Sequence, residues 1–198
     1  MQKRIAILIL AAGRSSRMGQ PKALLPWGDA TVIQKVVQTA ASLSDSDIRV
    51  ISGAYHKQLA TKLQDQKLEV HFNPNWELGM GASLAEGVRI IDDENIDGVL
   101  ILLADMPTVS IDHLLNLIKS FESQSAEVVC TQYDHIQGVP AIFGRSTFTH
   151  LKQLKGDEGA KNLLSRPEFE VTAVSSDRPF EDLDTPEQYE ALRKKYRC

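Results

Sequence analysis

Two cations five positions apart, Arg17 and Lys22, lie in a stretch rich in small residues, and an aspartate, Asp105, closes an apolar run far downstream. Small side chains at Ala11, Ala12 and Gly13 let a ligand approach the main chain, whose N–H groups can then face phosphate oxygens as an anion-binding nest. Arginine clamps two oxygens at once, while lysine supplies a mobile point charge. The apolar run 99–104 reads as a strand, so Asp105 falls at its carboxyl end, where open α/β sheets bind ligands. A carboxylate there suits Mg²⁺, which takes one or two such ligands together with substrate phosphates and waters. The spacing of the loop fits neither the dinucleotide fingerprint with its three glycines nor the Walker A pattern ending in Gly-Lys-Ser/Thr.

Further candidates are less specific. Asp182 and Asp184 alternate, so an extended segment would turn both to one side as a second metal contact. Asp184 or Thr185 also reads as the N-cap of a helix over 187–195, with Pro186 at its first position. Gly79-Met80-Gly81-Ala82-Ser83 precedes a helix; its small residues would let a base lie on the backbone with Ser83 supplying a hydroxyl, and a plain helix start is the alternative. Asp157 in Gly156-Asp157-Glu158-Gly159 is a cap candidate too. The five histidines show neither metal-ligand spacing nor an obvious Ser or Cys partner, and Trp27 and Trp76 read as packing residues.

The elements that must position these groups alternate along the chain. Residues 5–10 form a buried strand, 31–43 a helix, 48–51 a strand, 55–63 a helix, 69–72 a strand and 82–91 a helix. After the strand ending at Ala104, residues 111–121 make an amphipathic helix capped by Ser110. This rhythm predicts an α/β fold, doubly wound on a mostly parallel sheet. Beyond 127–131 the pattern loosens: 132–137 is polar, and 139–143 reads as a strand returning from a small β excursion on the acceptor side.

The chain of 198 residues suits one domain, with residues 1–125 as a nucleotide-binding half and 126–198 as an acceptor-side half. A net charge of -4 argues against nucleic acid or an anionic membrane as partner and leaves a small ligand. With only Cys130 and Cys198 and an apolar N-terminal run too short to span a bilayer, a reducing, cytoplasmic setting is expected.

Leu10-Ala11-Ala12-Gly13 with Ser15, Arg17-Met18-Gly19 and Lys22 resembles the signature of the molybdenum-cofactor nucleotidyltransferase family. Gly79-Met80-Gly81-Ala82-Ser83-Leu84, Ala104-Asp105-Met106-Pro107, Gly138-Val139-Pro140, Gly156-Asp157-Glu158-Gly159-Ala160 and Asp182-Leu183-Asp184-Thr185-Pro186 follow in family order. The resemblance implies a Rossmann-like nucleotidyltransferase fold and an NTP held by Leu10, Ala11, Ala12, Gly13, Arg17, Lys22, Gly79, Ser83 and Asp105. It also implies Arg17, Lys22 and Asp105 as catalytic residues, with Mg²⁺ on Asp105 and on Asp182 or Asp184. Leu-Ala-Ala-Gly rather than Leu-Ala-Gly-Gly is similar to the cytidylyl-transferring branch, which joins CMP from CTP to the terminal phosphate of molybdopterin. That branch would bring a molybdenum hydroxylase or its maturation factor as a protein partner. The same loop and Asp105 also fit a sugar- or polyol-phosphate acceptor, and a non-catalytic NTP-binding maturation factor is a rival of another class.

Overall fold

The computed structural model describes residues 3–43, 47–93, 95–123, 126–176, 181 and 183–196. Its first strand, β1 (Ile5–Ala11), is apolar throughout and buried at its five central residues, as a strand covered on both faces must be. A cation-rich loop leads to a short antiparallel ladder of β2 (Pro26–Trp27) and β3 (Ala30–Thr31), then to helix α1 (Val32–Ala41). Gln34 Oε1 accepts the Thr31 N–H at 3.0 Å and fixes the start of that helix. There follow β4 (Ile48–Ser52), α2 (His56–Leu63), β5 (Glu69–Phe72), α3 (Met80–Ile91), β6 (Gly98–Leu103) and α4 (Ile111–Ser123). The second half supplies β7 (Val128–Tyr133), β8 (Ile136–Gly144), the short helices α5 (Phe148–Leu151) and α6 (Lys161–Leu164), β9 (Val171–Ser175) and α7 (Pro186–Tyr196).

Among the described residues seven strands form one sheet in the order β5-β4-β1-β6-β8-β7-β9, in which β8 alone runs antiparallel to its neighbours. The two-residue period of β1 divides the core. Ile7 and Ile9 face α1, α2 and α4, whereas Ala6, Leu8 and Leu10 face α3, α5 and α6. Helix α3 comes close enough that a Cβ on Gly87 would stand 2.6 Å from the Leu8 methyls.

The return strand expected over 139–143 is longer than its apolar part, because the polar stretch before it belongs to a hairpin. Strand β7 runs on to Tyr133, Asp134 takes a left-handed φ of 51°, and β8 begins at Ile136. That strand enters the sheet between β6 and β7, pairing Val99 with Phe143, so the sheet continues across position 125. Strand β9 was not legible: it lies at the sheet edge, partly exposed, and has no apolar run to announce it.

The chain builds leftward from β1 through β4 to β5, then returns to place β6 on the other side of β1. Such a reversal opens a crevice outside the carboxyl ends of the two flanking strands. Those ends, Ala11 and Leu103, deliver the cation-rich loop and Asp105 to one place.

Candidate functional site

Just past the end of β6 the Ala104 N–H donates to the Leu10 carbonyl at 3.0 Å, which carries the β1–β6 ladder one rung further and seats Asp105 beside the loop. Asp105 is 7% exposed, and one carboxylate oxygen accepts from the Lys22 ammonium. The same ammonium reaches Asp184 Oδ1 at 3.1 Å, while Arg17 reaches Asp184 Oδ2 at 2.9 Å. The four side chains therefore form a row: Arg17, Asp184, Lys22, Asp105. Burial by itself would lower the pKa of Lys22; the charge and hydrogen bond of Asp105, joined by those of Asp184, more than offset it and hold the ammonium above its usual 10.5.

The loop is shaped from within. Ser15 takes a left-handed φ of 53°, and its hydroxyl accepts the Lys22 N–H at 3.2 Å, drawing the two ends of the loop together. Gly19, at φ 65°, makes the turn that a side chain would resist. Met18 and Leu183, the neighbours of Arg17 and Asp184, are buried in one small core with Trp27, Val32, Tyr189 and Leu192. That core brings the loop and the C-terminal segment together, and the hydrogen bond from Tyr189 Oη to the Pro26 carbonyl at 2.7 Å pins α7 to it. Thr185 takes the cap of α7: its hydroxyl accepts the Gln188 N–H, and Gln188 Oε1 accepts the N–H of Thr185 in return. The Asp184 carboxylate is thus left to the two cations. Ser110 likewise accepts the His113 N–H at the start of α4, so Asp105 has no capping duty.

On the other side of the loop Ala12 is buried and Gly13 exposed, with open space where a Gly13 side chain would stand. Gly53, which sequence reasoning passed over, has no such freedom, since a Cβ there would lie 2.5 Å from Trp76 and 2.6 Å from the Ala12 carbonyl. Its only signal in the sequence is that it follows β4 as Gly13 follows β1. Trp76 carries the Arg14 guanidinium over its ring at 5.2 Å, and Arg14 is paired with Glu77 at 2.8 Å. Gly79 has a φ of 106°, and its missing Cβ would stand 2.4 Å from the Gly156 carbonyl. The Gly81 N–H donates to that carbonyl at 2.8 Å, so the two glycine motifs of the sequence meet each other.

Ser83 stands apart from the exposed face of this crevice. It is 2% exposed, and its hydroxyl accepts from Asn73 Nδ2 at 3.0 Å. Asp182 lies outside the described residues. Two histidines do have hydroxyl partners that sequence spacing concealed. His56 Nδ1 lies 2.7 Å from Ser52 Oγ, but Ser52 is fully buried and gives its proton to the His71 carbonyl, which disqualifies it as a nucleophile. His113 Nε2 lies 2.8 Å from Thr131 Oγ1 inside the core.

Among the described residues no group of three or more His, Cys, Asp and Glu gathers as a metal cage. Asp105 and Asp184, which share one ammonium, are two hard-oxygen donors of the kind that could hold a cation taking its remaining ligands from phosphates and water. Cations on a loop, one carboxylate at a strand end and another just before α7 are equipped to handle phosphate. On this seven-stranded sheet they define a protein of the nucleotidyltransferase class.

The comparisons narrow the class. The chain belongs to the MobA-like NTP transferase family, whose domain it matches over residues 7–172. It is 33% identical to the purine catabolism protein PucB of Bacillus subtilis, over 94% of this chain and 95% of that one. It is 24% identical to the molybdenum cofactor cytidylyltransferase of Escherichia coli, over 97% of each. Among solved structures, Rv0371c of Mycobacterium tuberculosis superposes with a TM-score of 0.88 at 27% identity, over 98% of this chain and 99% of that one. A manganese complex of Rv0371c superposes at 0.84 with 24% identity, over 97% and 99% of the two chains. No helix among the described residues is long and apolar enough to cross a membrane.

Proposed function

We propose that this chain transfers CMP from CTP to the terminal phosphate of molybdopterin and releases pyrophosphate. The observation that carries the reading is the Lys22 ammonium held between Asp105 and Asp184 at the mouth of a backbone-lined loop. A phosphate oxygen of the acceptor attacks the α-phosphorus in line, the new O–P bond forms, and the bond to the β-phosphate oxygen breaks. No protein nucleophile takes part, so positioning and charge neutralisation supply the acceleration.

In this reading the main chain at Leu10, Ala11, Ala12 and Gly13 lies along the nucleotide, and Arg17 and Lys22 take the triphosphate oxygens. Lys22 is the group suited to the charge that grows on the leaving pyrophosphate. Gly79 lies at the base-facing edge, where Ser83 acts by holding Asn73 in place. Asp105 and Asp184 would hold Mg²⁺, which when bound supplies Lewis-acid polarisation of the phosphates. The manganese in the Rv0371c structure supports a divalent cation for this fold.

CTP is favoured by the Leu10-Ala11-Ala12-Gly13 spelling and by the full-length similarity to the cytidylyltransferase. A molybdenum hydroxylase or its maturation factor is the protein partner this reading brings with it. The test is pyrophosphate release with Mg²⁺ and molybdopterin, comparing CTP, GTP, ATP and UTP against Asp105→Ala. Release with CTP alone, lost in the variant, supports the reading. Release only with a sugar- or polyol-phosphate acceptor replaces molybdopterin, and CTP binding without turnover on any acceptor replaces the enzyme with a maturation factor.

A further inference from the structure

Each cation at the mouth of the site is already matched to an acid of the same chain: Arg17 to Asp184, and Lys22 to both Asp184 and Asp105. The acids are the two that the proposed function gives to the metal, and the cations are the two it gives to the triphosphate. Asp105 and Lys22 each occupy the other, whereas Arg17, its side chain 72% exposed, stays reachable from solvent. The side chain of Asp105 is 10% exposed and that of Lys22 25%, so this pairing is partly shielded from water and salt, unlike a surface ion pair.

We propose that Lys22 is an internal counter-ion that occupies the cation position between Asp105 and Asp184 and yields it only when metal and triphosphate arrive together. A divalent ion alone must displace an ammonium that then has no anion to meet. A triphosphate alone must draw Lys22 away from Asp105, which then has no cation to meet. The metal–nucleotide complex satisfies all four side chains at once, because the ammonium moves from carboxylate to phosphate as the metal takes its place. Metal and nucleotide therefore bind with positive coupling, and each raises the affinity of the other by the same factor. The loop is built for such an exchange. Lys22 is tied at its backbone through its N–H to Ser15 Oγ, which leaves the flexible side chain to swing while the chain stays fixed. The inference rests on the metal reading of Asp105 and Asp184 and adds the order in which that site fills.

The experiment is Mn²⁺ binding to the whole chain, followed by the loss of the free-ion electron paramagnetic resonance signal, with and without a non-hydrolysable CTP analogue, each titration referenced to Mn²⁺ and the same analogue without protein. Wild-type protein is expected to bind Mn²⁺ weakly alone and at least about tenfold more tightly with the analogue, the factor expected when the ammonium-held arrangement occupies about nine in ten molecules. Lys22→Met removes the internal counter-ion and should bind Mn²⁺ alone at least about tenfold more tightly than wild type, whereas Lys22→Arg, which keeps a cation, should stay weak. Circular dichroism checks that each variant is folded. Equal Mn²⁺ affinity in wild type and Lys22→Met overturns the counter-ion while leaving the metal site standing. Tight binding by Lys22→Arg also overturns it, since charge would not be the cause. Absence of Mn²⁺ binding under every condition removes the metal reading of Asp105 and Asp184 and the inference with it.

Discussion

Asp184 and Lys22 are 162 positions apart in the chain and 3.1 Å apart in space. Nothing local joins them. The contact exists because Met18, close to one, and Leu183, next to the other, are buried in the same small core.

That dependence makes Leu183 a positioning residue. Leu183→Ala should cost about 2 to 3 kcal/mol for a fully buried leucine, which for a chain of this size lowers Tm by about 5 to 10 °C. It should also lower kcat/KM, because Asp184 loses its anchor. Calorimetry and steady-state kinetics check both, and a variant with lower Tm but wild-type turnover would show that Asp184 is not needed in place.

Asp105→Ala should reduce pyrophosphate release by about 100-fold or more, the scale of losing one charge-stabilising group in a transition state, while the chain stays folded. Chelation of divalent ions should silence the wild type to the same degree. Turnover that survives the substitution removes Asp105 from the metal site.

Lys22→Ala should cost about 2 to 4 kcal/mol of transition-state stabilisation, read as a fall in kcat/KM. Its ion pairs also stabilise the fold. Since the folded pKa is raised above 10.5, that contribution is full below 10.5 and is lost as pH rises through the folded value. Alkaline melting curves of wild type and variant should therefore converge.

Gly79→Ala sets a side chain at φ 106° and 2.4 Å from the Gly156 carbonyl. The strain should cost about 1 to 3 kcal/mol and loosen the 155–159 segment, with a higher KM for the nucleotide. An unchanged KM would separate that segment from nucleotide binding.

His113 gives an acid-side signature. The Thr131 hydroxyl donates to the Pro140 carbonyl at 2.6 Å, so it must accept from His113 Nε2–H, and burial keeps the ring below its ordinary 6.5. A depressed folded value means that the stability it brings is full above 6.5 and is lost as pH falls through that lower value. His113→Gln, which cannot titrate, should flatten the fall of Tm between about pH 7 and about pH 5; parallel slopes in the two proteins would assign the acid sensitivity elsewhere.

The strands that carry the site were legible because burial on both faces leaves unbroken apolar runs, as at β1 and β6; Asp105 stood out as a charge just past one such run, and Lys22 as a cation in the small-residue loop that follows the other. The insertion of β8 between β6 and β7 was not, since an apolar run says that a strand is buried and not which strand it pairs with. Nor could spacing reveal that Ser83 turns inward to Asn73, or that Gly79 and Gly156 share one contact. Those facts depend on the angle at which α3 meets the sheet and on the path of a distant loop. The cap of α7 could be Asp184 or Thr185 by sequence, and Gln188, whose amide completes the cap through Thr185, decides between them.

Strand β6, which leads into Asp105, finds one of its two neighbours only in β8, which closes at Gly144. During synthesis β1, β4 and β5 can assemble as they emerge, but β6 presents an open flank until some forty further residues have left the ribosome. Its Val99–Leu102 segment, buried in the finished protein, is then an uncovered apolar edge of the growing chain. A stop codon or a protease cut between α4 and β8 would leave a fragment that carries the whole cation loop and Asp105 yet aggregates instead of binding nucleotide.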